Sequence, residues 1–94
     1  MGSNASLNAQ AVACDGRNWT LTIGHDGATV LYRMGEKLAA LDSASAVAIL
    51  TADTDAEDRV EQLLTLLEQA SEPIDEHARK TLSNSASWID AHWG

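Results

Sequence analysis

Residues 18–33, NWTLTIGHDGATVLYR, alternate apolar and polar side chains on both sides of an Asp-Gly pair. A period of two marks a strand with one buried face. Asp-Gly between two such runs is a strong short-range signal for a β-hairpin. Read as a two-residue type I′ turn, Asp26-Gly27 sets Ile23 opposite Val30, Leu21 opposite Tyr32 and Trp19 opposite Met34. One face is then wholly apolar, and Thr20, Thr22, Leu31 and Arg33 fall on the other.

The same logic extends outward. Asp15-Gly16 is a second turn signal, which opposes Val12 to Trp19 and puts Cys14 on the apolar face. Gly35-Glu36 fits a type II′ turn, opposing Ala39 to Tyr32 and Leu41 to Val30. The expectation is an antiparallel β-meander of three to four strands, near residues 9–14, 17–24, 28–34 and 37–41. The outermost two are the least determined, because KLAALD at 37–42 could equally begin a helix.

After Asp42 the spacing becomes helical. Asp42 or Ser43 can cap a helix carrying Val47 and Leu50 on one side. In TDAEDRVEQLLTLLEQA, Thr54 and Glu57 read as a capping box, and Val60, Leu63, Leu64, Leu67 and Ala70 form a broad apolar face. Pro73 suits the first position of a further helix, in which Ile74, Ala78, Leu82 and Ile89 share a face. SNSAS at 83–87 is poor helix material and is expected to kink or break it. The fold class is α+β: the meander followed by two to three helices packed on one face.

At 94 residues, 45% of them hydrophobic and 21% charged, the composition is that of one ordered domain. Residues 1–8 read as a flexible segment and 9–94 as a single α+β domain. MGSNASLNAQ has neither a basic start nor an apolar core, so no signal peptide is expected, and no run is long enough to span a bilayer. The single cysteine cannot form an internal disulfide, which fits a cytoplasmic location.

Side chains able to do chemistry are few. His25-Asp26 at the hairpin tip could suggest an acid–base pair, but a tip offers no pocket, and Asp there is what the turn prefers. Cys14, His25, His77 and His92 lack metal-ligand spacing. In one continuous helix the last two would lie about 22 Å apart. There is no P-loop, G-x-G-x-x-G or G-x-S-x-G. The expectation is a non-enzymatic protein without cofactor or metal.

Charge is the strong bias. Of the net −8, all lies between Asp53 and Glu76, where nine acids face Arg59 alone. Glu57, Glu61 and Glu68 run along one flank of the second helix and read as a surface for a basic partner. Most of the nine also surround helix N-termini, where carboxylates meet the helix dipole favourably. With no basic stripe, direct nucleic-acid binding and an anionic membrane surface are disfavoured. Leu31 and Leu38 on the outer sheet face, with an unprotected first strand, suggest a homodimer. Trp88 and Trp93 are candidate interface anchors. The expected function is a small acidic protein–protein interaction module that self-associates. One alternative is an acidic inhibitor of a basic nucleic-acid-binding protein, by analogy with phage anti-restriction or anti-CRISPR strategies. Another is a small-ligand or metal-binding protein.

Overall fold

The computed structural model describes residues 7–86. Four strands, β1 (Leu7–Val12), β2 (Asn18–Ile23), β3 (Thr29–Arg33) and β4 (Glu36–Leu41), precede three helices, α1 (Ser43–Leu50), α2 (Ala56–Ala70) and α3 (Glu76–Asn84). The strands form one antiparallel sheet in the order β1-β2-β3-β4, the expected meander. In the helical layer α3 packs against β1 and α2 against β4, and α2 touches both other helices. β1 begins at Leu7, so Leu7 and Asn8 belong to the sheet rather than to a flexible N-terminal segment.

The turns fall where the glycines mark them, but their geometry differs from the sequence reading. At the second hairpin, the Gly24 N–H donates to Ala28 O and the Gly27 N–H to Gly24 O, both at 2.9 Å. This is a three-residue loop, His25-Asp26-Gly27, with Gly27 in the left-handed region at φ 95°. Only the glycine takes positive φ, whereas a two-residue type I′ turn would also place Asp26 there. The pairs are therefore Trp19–Arg33, Leu21–Leu31 and Ile23–Thr29. This one-residue shift turns β3 over relative to expectation. Thr29 and Leu31 are fully buried, and Val30 and Tyr32 move to the outer face.

The first hairpin repeats the device. The Ala13 N–H donates to Arg17 O at 2.8 Å, the Gly16 N–H donates to Ala13 O at 2.9 Å, and Gly16 has φ 87°. Ala11, not Val12, lies opposite Trp19. Ala9, Ala11 and Ala13 point inward, and Cys14 is exposed at the loop tip instead of lying on the apolar face. In both loops the aspartate braces the turn: Asp15 Oδ1 accepts from the Arg17 N–H and Asp26 Oδ1 from the Ala28 N–H, each at 3.0 Å.

The third turn is Met34-Gly35 rather than Gly35-Glu36, with φ 53° and 81°, the signature of type I′. The β3–β4 register shifts between Leu31–Ala39 and Tyr32–Lys37, which leaves Leu38 as the extra residue of a bulge. Ala39 thus faces the core opposite Leu31, and Leu41 lies opposite Thr29.

Leu21, Ile23 and Leu31 from the sheet meet Leu50, Val60, Leu63, Leu64, Leu67 and Leu82 from the helices, all fully buried. Trp19 closes one end of this core, 3% exposed, with the Arg33 guanidinium 5.8 Å from its ring centroid. Arg33 also forms an ion pair with Glu72 in the α2–α3 connection. Asp42 caps α1, accepting from the Ser45 N–H at 3.2 Å and the Ser45 hydroxyl at 2.8 Å. The Thr54–Glu57 box does not form, because the N-cap of α2 is Asp55, whose side chain makes no capping bond. α3 starts at Glu76, capped by Asp75, and Pro73 lies in the preceding connection. The helix ends at Asn84, inside the SNSAS stretch.

Candidate functional site

The acids singled out along α2 belong to two different environments. Glu61 and Glu68 face α3, which supplies Arg79. Its Nε donates to Glu61 Oε1 at 2.6 Å, and its Nη1 lies 2.8 Å from both oxygens of Glu68. The Nη2 donates to Glu61 O at 3.2 Å and also contacts the Thr65 hydroxyl. Glu61, Thr65 and Glu68 stand at i, i+4 and i+7, so they form one stripe on the helix. Their carboxylates clamp α3 onto α2 and do not form an open recognition surface.

Glu57 lies beyond this clamp, in the first turn of α2, and is exposed. It joins Asp53, Asp55 and Asp58, also exposed, at the corner where α1 gives way to α2. Arg59 is the basic residue nearest in sequence. Its Nε and Nη2 donate to Thr54 O at 3.0 and 2.8 Å, and its Nη1 donates to Leu50 O at 3.3 Å. The guanidinium thus ties the end of α1 to the start of α2. Among the described residues, no basic side chain forms an ion pair with any of the four corner carboxylates. The corner is a concentrated, solvated negative charge at a fixed bend of the backbone.

The two leucines assigned to the outer sheet face are not available there. Leu31 is fully buried on the inner face, a direct result of the three-residue loop. Leu38, at the bulge, is partly buried and packs against the core. The outer face instead carries Asn8, Gln10, Val12, Thr20, Thr22, Val30 and Tyr32, among which Val12 is 53% exposed. Trp88, Trp93, Ile89 and His92 lie outside the described residues.

His25 and His77 are exposed, His25 at a loop tip and His77 on α3. Asp26 accepts its own turn's N–H, which leaves His25-Asp26 a turn element. Among the described residues no three His, Cys, Asp or Glu side chains converge to hold a metal. No helix among them is long and apolar enough to cross a membrane. A shallow depression beside Leu7, Thr22, Ile23 and Val30 is lined without a titratable group.

No protein-family model matches the chain, and none of the curated proteins or solved structures is significantly similar to it.

Proposed function

We propose that this chain is a small protein-binding module that presents the acidic corner formed by Asp53, Asp55, Glu57 and Asp58 to a basic surface on a protein partner. One contrast carries the reading. Glu61 and Glu68 further along α2 are taken up by Arg79, and Glu72 just beyond it by Arg33, while the corner carboxylates are exposed and without a basic partner among the described residues. Charge of this kind steers encounter and selects partners of opposite sign more than it adds affinity. The net −8 of the whole chain adds a long-range field of the same sign.

The test is capture from host lysate at low and high salt. It compares the wild type with the triple variant Asp53→Asn/Glu57→Gln/Asp58→Asn, which leaves the Asp55 cap in place. Partners that depend on the corner are retained by the wild type at low salt, released at high salt, and missed by the variant, which still unfolds cooperatively. Identical capture by both proteins overturns the proposal. Release of the captured partner by competing duplex DNA would identify it as a nucleic-acid-binding protein, the inhibitor form of the same reading.

A further inference from the structure

We infer that the free edge of β1 pairs with the same strand of a second copy, antiparallel about Gln10, to join two sheets into one of eight strands. The inference starts from the direction of the backbone groups in β1. The Ala13 N–H bonds to Arg17 O, and inward and outward groups alternate along an antiparallel strand. Leu7, Ala9 and Ala11 therefore direct their N–H and C=O groups at β2, and Asn8, Gln10 and Val12 direct theirs away from the sheet. Among the described residues nothing pairs with that side, since β1 is the first strand of the order.

The two sheet edges are treated differently. β4 carries the devices that blunt an edge: a bulge at Leu38, and the charged Glu36 and Lys37. β1, with the sequence LNAQAV, has no charge, no proline and no bulge. Among the described residues its outer edge is unpaired, and the opposite edge of the sheet is protected, so pairing stops at two copies.

Register and charge identify the occupant. Asn8, Gln10 and Val12 are spaced evenly about Gln10. An antiparallel partner of identical sequence can therefore set Gln10 opposite its own copy and Asn8 opposite Val12, with every outward N–H and C=O of the three matched. This places both helical layers on one side and the uncharged residues Asn8, Gln10 and Val12 on the other. A two-fold axis through Gln10 closes the assembly. At this strand the like charge of two copies does not oppose the approach. Each chain carries −8, with its acids concentrated on the helical segment 53–76, and β1 offers an approach without a charged side chain.

Sedimentation velocity at high micromolar concentration should show the wild type at twice the chain mass. Gln10→Pro removes only an outward N–H, and proline is tolerated on an edge strand with that group facing solvent. The variant should keep the wild-type circular dichroism and lose the dimer. A second pair of variants reads the register without depending on proline. In a Cys14→Ser background, Gln10→Cys brings two thiols face to face at a strand pair with Cα atoms about 5.5 Å apart, within disulfide range. Mild oxidation should then give a covalent dimer, whereas Asn8→Cys in the same background should not. A monomeric wild type, a dimer that survives Gln10→Pro with its fold intact, or cross-linking through Asn8→Cys instead would each overturn the inference. The acidic corner takes no part in this pairing, so the dimer and the capture experiment succeed or fail separately.

Discussion

The guanidinium of Arg79 spans the carboxylate of Glu68, its Nη1 2.8 Å from both oxygens. Both side chains are only about one-quarter exposed, at 21% and 25%. A charge-assisted contact shielded to this degree contributes more than a fully solvated pair. The same guanidinium holds Glu61, so one residue of α3 fixes the angle at which that helix lies on α2.

Arg79→Ala should lower stability by about 1.5–3 kcal/mol, the range of hydrogen bonds to charged groups. Glu61→Gln/Glu68→Gln should lower it as well, and the triple combination should cost less than the two effects added. Urea denaturation of the four proteins measures this. Additive losses would show that the clamp contributes nothing as a unit.

The orientation of β3 is tested by two neighbouring residues. Leu31→Lys places an ammonium in the fully buried face and should cost more than about 4 kcal/mol, enough to unfold much of a small domain. Val30→Lys, on the outer face, should be tolerated within about 1 kcal/mol. Thermal melts of the pair decide it. The opposite ranking would restore the two-residue turn.

Much of the architecture was legible because it rests on local periodicity. The meander, the apolar face of α2 at Val60, Leu63, Leu64 and Leu67, and a cap at Asp42 or Ser43 all follow from spacing that a single segment displays, although Ala70, read on the same face, is exposed. The register was not, because Asp-Gly serves two kinds of hairpin loop. Both frames offered the core an apolar side chain: Val30 and Tyr32 in one, and Leu31, beside the polar Thr29, in the other. Leu31 was misassigned for that reason. The roles of Glu61 and Glu68 were hidden for a different one, since Arg79 lies 18 and 11 residues away in sequence and reaches them only once α3 folds back. The stripe Glu61-Thr65-Glu68, followed by a lone arginine in the next helix, was the available signal.

Gly16 isolates the cost of backbone conformation. It sits at φ 87°, and a Cβ built there meets nothing within 4 Å. Gly16→Ala should therefore destabilise by about 1–2 kcal/mol through left-handed strain alone, and Gly16→Asn by less. Equal melting temperatures for all three proteins would mean that the loop does not need the glycine.

Asp42 links stability to acid. Its hydrogen bonds with the Ser45 hydroxyl and N–H hold its pKa below the ordinary aspartate value. A carboxyl depressed in the folded state contributes stability that is whole above its unfolded pKa and is lost as pH falls through the folded one. Asp42→Asn should thus be less stable than wild type near neutral pH, with the gap closing in strong acid. Denaturation at a series of pH values measures the gap. A gap that is constant with pH would remove the carboxylate from the account.

The twin loops Cys14-Asp15-Gly16 and His25-Asp26-Gly27 also constrain how this chain can change length. Loss of a single residue from the second loop would leave two residues there, and Gly24 could still sit opposite Ala28 across a two-residue turn, so every side chain of β3 and β4 would keep its face. A residue lost from within β3 itself would instead shift all that follows it in the strand by one position and exchange its faces. Changes of length should therefore survive selection inside these loops and not inside the strands, and a diverged relative of this chain would betray itself by loops of other lengths between strands of constant register.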